Sequence, residues 1–425
     1  MEMLMERILE RDNLNRAYLQ VYRNKGSAGI DKMTVYELKD YLKRNKRVIT
    51  QEILNETYKP KPFLMVEIPK ENGEKRTLGI STVVDRVIQQ GTNQILTEIF
   101  DKTFSENSFG FRPNRSAIDG IKQAEKYINE GYKYVVDIDL SKYFDTINQD
   151  KLMYLLKKEI NDSRVLRLIS KILKSGVIRN GKLEESRIGV PQGSPLSPIL
   201  GNIYLNEMDK ELESRGHKFV RYADDLQLYV KSKRAGKRVM ESITKFLEKE
   251  LKLKVNVEKS AVRYCTKTKF LGFSFYTKRK NECKIIPHKK SKAKFKNEIR
   301  KLLQRNRSQN MDITMHKLNQ YLVGWINYYA VSEMSAFMKE MTGWIRRKIR
   351  VCIWKQWKKI KTKFRNLQKL GIEKGKAWEY ANTRKGLWRI SNSPILSRTL
   401  TNEYIGKLGF KNPLKLYSNA HIKFL

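Results

Sequence analysis

The chain has 425 residues, and 87 lysines and arginines face 45 aspartates and glutamates, which gives a formal net charge of +42. Hydrophobic residues make up 40% and aromatic residues 10% of the chain, which excludes a disordered protein. No apolar run approaches the roughly 18 residues that a membrane span requires. The first twenty residues mix both signs of charge and lack the apolar centre of a signal peptide. We therefore expect a soluble, intracellular protein.

The positive charge predicts a polyanionic partner, and nucleic acid fits this charge best. General solubility and an anionic membrane surface are the alternatives, but neither terminus carries a basic amphipathic anchor.

The charge is concentrated in two stretches. Residues 284–307 contain ten basic residues and one acid, and residues 344–365 contain ten basic residues and no acid. The second stretch has apolar residues at helical spacing, which predicts a helix with a basic face toward phosphates. Trp344, Trp354 and Trp357 stack on bases there or pack in a core.

The pattern of apolar residues predicts helical segments in residues 1–60, around a glycine-rich connector, NKGSAGID, at 24–31. Residues 63–82 follow and alternate as in a hairpin around a turn at 71–73. Residues 83–100 form an amphipathic helix. The next predicted elements, in chain order, are a strand at 132–140, helices within 152–178 and at 199–212, two strands within 219–230, a helix at 238–251, and strands near 254–257, 270–276 and 284–287.

Residues 289–380 are predicted to be helical and basic, and about 40 residues after them form an irregular appendage. Strands and helices alternate up to about residue 287, and helices dominate afterwards. The fold class that follows is an α+β domain succeeded by a helical domain. Three cysteines (Cys265, Cys283 and Cys352) form no CxxC pair, so we expect neither a disulfide framework nor a zinc site.

The most informative residues are three aspartates, Asp139, Asp224 and Asp225. Adjacent carboxylates between apolar strands are costly unless a cation neutralises them. Hard divalent ions with oxygen ligands, usually Mg²⁺, do this. If Asp139 lies beside the Asp224–Asp225 turn, the three carboxylates can hold two ions about 3.5–4 Å apart, which suits in-line phosphoryl transfer. The alternative is an ordinary β-turn in which the aspartates only cap the backbone.

These residues belong to motifs that resemble those of one family. The motif Tyr-Ala-Asp-Asp at 222–225 resembles the metal-binding motif of reverse transcriptases, and VVDIDLSKYFD at 135–145 resembles their other carboxylate motif. The surrounding blocks resemble group II intron reverse transcriptases, also called intron-encoded maturases. In order, they are NKGSAGID, IPKENGEKRTLGISTVVDRVIQQ, FGFRPNRSA, GVPQGSPLSPILGNIYL, VEKS and FLGFSF. The resemblance covers residues 10–415.

The resemblance implies a right-hand polymerase, with fingers and a palm built on antiparallel sheet and a helical thumb or maturase domain. It makes Asp139, Asp224 and Asp225 the ligands of two Mg²⁺ ions, for which Mn²⁺ is a substitute. Asp224 is the more direct ligand. The domains it implies are an N-terminal fingers extension at 1–60, fingers and palm at 61–288, thumb at 289–383, and a short DNA-binding tail at 384–425.

The resemblance also implies nucleotide-binding residues. Lys70 and Arg76 bind the triphosphate, whereas the pattern alone indicates solvated hairpin charges. Phe144 excludes the ribose 2′-hydroxyl, the alternative being ordinary core packing. Gln192 contacts the nucleotide or template, and Lys259 protonates the pyrophosphate unless it is a plain surface lysine.

Template and primer contacts complete the implied site: Arg112, Arg115, Phe270, Leu271 and Gly272. The implied partners are the intron RNA, an RNA template–DNA primer duplex, dNTPs and target DNA, in a bacterial cytoplasm without membrane or zinc. Many members end in an endonuclease domain with paired cysteines. Because this chain has no such pair, it resembles the compact members encoded by class C introns, and DNA cleavage is not expected.

We therefore expect an RNA-directed DNA polymerase that also binds its intron RNA to assist splicing and mobility. Two alternatives stay open. The first is a non-catalytic RNA-binding splicing factor on a relic polymerase fold. The second is a reverse transcriptase of another element, such as a retron, a diversity-generating system or a defence locus.

Overall fold

The structure, a computed structural model, describes residues 3–69, 73–278, 282–304 and 310–424. The chain divides into two compact units, Met1–Cys265 and Thr266–Leu425. The helices of the first unit, α1 to α10, are Leu4–Leu9, Arg11–Asn24, Leu38–Leu54, Val83–Phe100, Ala117–Asn129, Tyr143–Thr146, Gln149–Glu159, Ser163–Leu173, Ser197–Ser214 and Lys233–Lys249. Its strands, β1 to β8, are Phe63–Pro69, Lys75–Ile80, Tyr134–Ile138, Val177–Arg179, Lys182–Glu184, Lys218–Tyr222, Asp225–Val230 and Ala261–Tyr264.

The N-terminal helices pack on α4, whose bounds coincide with the predicted helix at 83–100. Thr82 caps this helix, because its hydroxyl accepts a hydrogen bond from the backbone N–H of Asp85 at 3.2 Å. Leu4, Met5 and Ile8 of α1 are buried in the core that α2 and α4 share with α8 and α9. The predicted helical character of residues 1–60 is confirmed.

The hairpin predicted at 63–82 consists of β1 and β2, which pair antiparallel from Leu64–Ile80 to Pro69–Lys75. The predicted turn residues Glu71 and Asn72 lie outside the described residues. The hairpin belongs to a four-stranded sheet of order β2-β1-β4-β5. Strands β4 and β5 were not predicted, and β4 pairs parallel with β1. This junction is parallel, whereas the other strand pairs of the described residues are antiparallel as expected.

A second four-stranded sheet, here called the central sheet, has the order β6-β7-β3-β8 and is antiparallel throughout. The predicted strands at 132–140 and 219–230 form its middle and one edge. The strand predicted near 254–257 is wrong, because only one bridge joins Val255 to Leu140. The second edge is β8 instead. Helix α10 packs on β3 and β8, and α5 packs on β6.

The second unit begins with an antiparallel pair, β9 (Phe273–Thr277) and β10 (Cys283–Pro287). Nine helices, α11 to α19, follow within its described residues: Lys289–Leu302, Met311–Tyr329, Ser335–Gln356, Ile360–Lys369, Lys374–Ala381, Leu387–Ile390, Pro394–Thr399, Asn402–Lys407 and Pro413–His421. The helical character of 289–380 is confirmed.

The expectation of an irregular appendage at the C-terminus is wrong. Residues 387–421 form four short helices, and the last of them, α19, packs on α12 and α13. The Tyr417 hydroxyl donates to the carbonyl of Ser332 at 2.9 Å, and Asn319 donates to the carbonyl of Gly409 at 2.7 Å. The C-terminal segment is thus an integral part of the second unit.

None of the helices in the described ranges is both long and apolar enough to cross a membrane. The longest, α13, carries a series of arginines and lysines along its 22 residues.

Candidate active site

The turn that joins β6 to β7 presents the first candidate carboxylates. Tyr222 and Asp225 form the last pair of the two strands, so Ala223 and Asp224 make a two-residue turn between them. Ala223 has a φ of +56°, in the left-handed region that non-glycine residues rarely occupy. Such a backbone persists only where its surroundings hold it. Asp224 is half-buried, and Asp225 begins β7 with an exposed side chain.

Asp139 directly follows the end of β3, which is the neighbour of β7. The last register pair joins Ile138 to Leu226, so the next residue along each strand places Asp139 opposite Asp225. The backbone N–H of Asp139 donates to the Ser260 hydroxyl at 3.0 Å, and its carbonyl accepts from the N–H of Asn256 at 2.8 Å. The loop containing VEKS therefore fixes the backbone of Asp139 at this edge.

Electrostatics couples Asp139 to Asp224. Burial raises the pKa of the Asp224 carboxyl, and the charge of Asp139 raises it further. The charges of Arg76 and Arg221 act in the opposite direction and lower this pKa. A raised pKa means that the negative charge on Asp224 is unfavourable without additional positive charge.

Within the ranges that the structure describes, no group of three or more His, Cys, Asp or Glu side chains is arranged to hold a metal ion. The structure couples two of the three predicted aspartates, Asp139 and Asp224, and leaves Asp225 exposed beside them. A divalent ion nevertheless fits the donor chemistry here. Two carboxylates that repel each other in a partly desolvated position are hard oxygen donors whose charge a cation would offset.

Residues 107–110 pack against this turn. Residues 109 and 110 begin the FGFRPNRSA block, and residues 107 and 108 directly precede it. Segment 107–109 runs along β6: Arg221 donates from its backbone to Asn107, and Phe109 donates to the carbonyl of Arg221. A Cβ on Gly110 would clash with the backbone nitrogen of Ala223 and lie 2.9 Å from the carbonyl carbon of Tyr222. Only glycine permits this close approach of two backbones.

A buried ion pair that no sequence motif indicated lies against the same turn. Arg221 and Asp209 both have fully inaccessible side chains. Nε of Arg221 donates to both Asp209 oxygens, at 2.8 and 3.0 Å. Nη1 donates to Oδ1 of Asn202 at 2.8 Å and to the carbonyl of Ala223 at 3.0 Å. Asn202 in turn donates to the carbonyl of Gly110 at 2.9 Å.

The predicted nucleotide-binding residues Arg76 and Gln192 meet in the structure. Nε of Arg76 donates to Oε1 of Gln192 at 3.1 Å, and Nε2 of Gln192 donates to Asp145 at 3.3 Å. The backbone of Gln192 also accepts from the N–H of Gly79 at 2.7 Å. Asp145, for which the sequence predicted no role, thus orients the Gln192 amide, which in turn orients Arg76. Lys70 lies outside the described residues.

Phe144 lies in the short helix α6, five residues after Asp139. Its half-buried ring contacts that of Tyr143, with centroids 5.0 Å apart. An added Cβ on Gly201 would lie 3.1 Å from the Phe144 ring, so the ring packs closely against α9. Lys259 is exposed on the loop that fixes Asp139.

The two predicted template-binding arginines differ. The Arg112 side chain is 3% exposed, and its donors bind Asp101 at 2.6 Å and the carbonyls of Ser105 and Ser108. This burial argues against the expected contact with a template phosphate. Arg115 is more accessible, although it pairs with Glu106 and lies 5.6 Å from the Phe109 ring centroid.

The predicted primer-binding residues lie in the second unit. Leu271 and Gly272 have positive φ values of 49° and 86°, which form a tight turn closed by bonds between Phe270 and Phe273. Tyr328 donates from its hydroxyl to the carbonyl of Leu271 at 2.9 Å. The turn is therefore held rigidly on α12.

The basic helix predicted at 344–365 is divided between α13 and α14. The part of its apolar face in α13 is buried as expected and Trp354 is in the core, whereas Ile360 at the start of α14 is exposed. Two of its arginines hold the C-terminal segment: Arg347 stacks over Trp388 at 3.7 Å, and Arg350 donates to the carbonyl of Leu400 at 2.9 Å. Other cations lie on accessible aromatic rings, such as Lys292 and Lys296 over Phe337.

Comparison with known proteins identifies the family. Residues 68–275 match the model of reverse transcriptase (RNA-dependent DNA polymerase), and residues 292–371 match the group II intron maturase-specific domain. This chain belongs to the group II intron reverse transcriptase and maturase family. This reverse transcriptase therefore has the expected α+β polymerase fold followed by a helical maturase domain. Its enzyme class is RNA-directed DNA polymerase, in a family that generally uses divalent metals.

Two curated relatives illustrate the similarity. Protein YkfC of Escherichia coli K12 is 31% identical over 272 residues, which cover 55% of this reverse transcriptase and 71% of YkfC. The group II intron-encoded protein LtrA of Lactococcus lactis subsp. cremoris is 28% identical over 335 residues, or 63% of this chain and 55% of LtrA. The match thus spans about half the length of LtrA.

Among solved structures, telomerase from Candida albicans in complex with a fragment of telomeric RNA is 14% identical, with a TM-score of 0.45. The similarity covers 83% of this chain and 69% of the telomerase chain. The family assignment depends on the sequence matches alone.

Proposed function

We propose that this chain copies RNA into DNA at the edge of the central sheet where Asp139 and Asp224 meet, and that Asp139, Asp224 and Asp225 hold two Mg²⁺ ions there. The observation that carries the proposal is the electrostatic coupling of the two half-buried carboxylates at adjacent strand ends. The chemistry that the ions supply when bound is activation of the primer 3′-hydroxyl and neutralisation of the pyrophosphate leaving group.

The residues around the carboxylates have distinct proposed roles. Arg76, oriented by Gln192, binds the triphosphate together with Lys70, and its positive charge acts on Asp224 directly. Phe144, packed closely against α9, excludes a 2′-hydroxyl from the sugar position. Lys259, on the loop that fixes Asp139, donates a proton to the leaving pyrophosphate.

Each unit has proposed contacts to nucleic acid. Arg115 contacts the template, the turn at 270–272 contacts the primer, and the cations of the helical domain bind the RNA–DNA duplex and the intron RNA. Recognition of such RNA depends mainly on shape and backbone phosphates. We place the thumb at 289–383 and target DNA against residues 384–425, in which the structure describes short helices from Leu387 to Phe424.

The decisive experiment is primer extension on an RNA template with dNTPs, comparing the wild type with Asp224→Asn. Loss of the carboxylate should lower the extension rate by roughly 10²-fold or more. Binding of the template–primer duplex should change little, since the charge pattern elsewhere is intact. Asp150→Asn, an exposed aspartate in α7, is the matched control and should retain the wild-type rate.

Two results would contradict the proposal. Extension by Asp224→Asn at the wild-type rate would exclude a catalytic role for the turn. A wild type that binds RNA tightly and never extends a primer would favour the alternative, a non-catalytic splicing factor.

A further inference from the structure

The strongest unassigned feature is the buried pair of Arg221 and Asp209 under the turn that carries Asp224. Among the ion pairs within the described residues, this is the only one whose two side chains are both fully inaccessible. Every nitrogen of the guanidinium donates: Nε and Nη2 to Asp209, and Nη1 to Asn202 and to the carbonyl of Ala223. Its direction is therefore fixed on all sides.

Stability alone does not account for such a pair. Removing two charges from water costs several kcal/mol per ion, and well-packed apolar residues often serve a core equally well. A planar, forked guanidinium offers geometry that an apolar side chain or a lysine does not. The orientation of the guanidinium is informative here, because its Nη1 donates to the carbonyl of Ala223, the residue directly before Asp224.

The network also joins three separate parts of the chain. Asp209 and Asn202 both lie on α9, Arg221 lies on β6, and Asn202 continues the network to the carbonyl of Gly110. Gly110 is in turn packed against the backbone of Ala223. Two contacts therefore hold the strained Ala223 backbone: the hydrogen bond from Arg221 to its carbonyl and the close packing of Gly110 against its nitrogen.

We infer that Arg221 is a positioning residue: its buried guanidinium, fixed by Asp209 and Asn202, sets the orientation of the Ala223–Asp224 peptide and thereby aims the Asp224 carboxylate at the divalent ion. This inference rests on the proposed function, because it assigns the purpose of the pair to metal binding at that site. By this inference, Arg221, Asp209 and Asn202 contribute to the reaction without touching the substrate.

The test compares Arg221→Lys with the wild type. Lysine keeps the charge opposite Asp209 but does not reach Asn202 and the Ala223 carbonyl at the same time. Mn²⁺ binding is followed by electron paramagnetic resonance on the full chain, with an RNA template, a dideoxy-terminated DNA primer and the next dNTP. Primer extension is measured separately as a function of Mg²⁺ concentration. Both assays are run well below the thermal unfolding transition of each variant.

Arg221→Lys should weaken Mn²⁺ binding by about 10-fold or more, the size expected for residues that orient a metal ligand. The half-saturating Mg²⁺ concentration should rise in parallel, while binding of the template–primer duplex stays constant. Asn202→Ala leaves the ion pair intact but removes the acceptor that fixes Nη1 of Arg221 and the link to Gly110, so it should give a shift in the same direction. Arg164→Lys, in a forked ion pair with Glu6 far from the turn, is the matched control and should not shift either value.

Wild-type affinity for Mn²⁺ in folded Arg221→Lys would overturn the inference. If that variant does not fold, wild-type affinity in Asn202→Ala would overturn it equally. A shift of the same size in Arg164→Lys would show a general loss of stability instead of positioning. Absence of both Mn²⁺ binding and extension in the wild type would overturn the proposed function itself, so the two failures are distinguishable.

Discussion

The two units use their cations in different ways. In the first unit, Arg221 is fully buried and its donors are directed at specific acceptors. In the second unit, Lys292 and Lys296 lie over one accessible ring, and most of the basic residues are spread over helix surfaces. The catalytic edge depends on the position of single atoms, whereas a phosphate-binding surface depends on a sum of charges. Substitutions should therefore have steep effects in the first unit and graded effects in the second.

The largest effect is expected for Gly110→Ala. The new Cβ would collide with the backbone of Ala223, which is not a flexible side chain that turns aside. Displacement of the turn by a fraction of an ångström to 1 Å should lower the primer-extension rate by roughly 10²-fold. Gly324→Ala is the control from the other unit, because its Cβ meets nothing within 4 Å in helix α12. It should retain activity and raise helix stability by up to ~1 kcal/mol. A wild-type primer-extension rate for Gly110→Ala would contradict the expectation that substitutions have steeper effects in the first unit than in the second.

An intermediate effect is expected for Arg350→Gln, which tests whether the second unit also contains fixed arginines. Arg350 donates to the carbonyl of Leu400 at 2.9 Å and to Asn402 at 3.2 Å. Loss of these bonds should destabilise the C-terminal helices by about 1–2 kcal/mol. Hydrogen exchange of residues 387–424 measures this as faster exchange, and Arg365→Gln, on an exposed part of α14, is the control. Equal exchange in both variants would mean that the segment is held by its apolar contacts alone.

The smallest effect is expected for Lys292→Gln. One phosphate contact among many should weaken RNA binding only a few-fold and reduce the slope of log affinity against log salt by about 1. Adding Lys296→Gln should reduce the slope again by a similar amount. Filter binding across a salt series measures both, with Lys249→Gln in the first unit as the control. A single substitution that abolished binding would show that this surface, too, depends on one residue.

Sequence patterns predicted those parts of the molecule whose signals are local. The helix at 83–100 has an amphipathic repeat and was placed correctly. The acidic turn, predicted at Asp224–Asp225, lies between two apolar strands as expected but one residue earlier, at Ala223–Asp224. Strand β8 was missed because its residues are all half-buried and do not alternate clearly. The C-terminal helices were missed because Gly, Pro and Asn are scattered through this segment, a composition typical of irregular structure. Pro394 and Pro413 instead stand in the first turns of α17 and α19, where proline is tolerated.

The support of the candidate site could not be predicted for a different reason. Nothing in the sequence connects Asp209, inside an apparently ordinary helix, with Arg221 on the next strand, because their contact arises only from tertiary packing. Asp145 was also missed, because only Asp139 and Phe144 of its motif, VVDIDLSKYFD, were given roles. The family resemblance supplied Arg112 as a template contact, whereas its neighbours Asp101 and Ser105 enclose it.

Segment 107–109 has one more consequence. Strand β6 is the outer strand of the central sheet, and its outward N–H and C=O groups would otherwise be open to another chain. The backbone bonds of Asn107 and Phe109 with Arg221 occupy part of that border. The same residues that support the turn thereby leave less of this strand open to pairing with another chain.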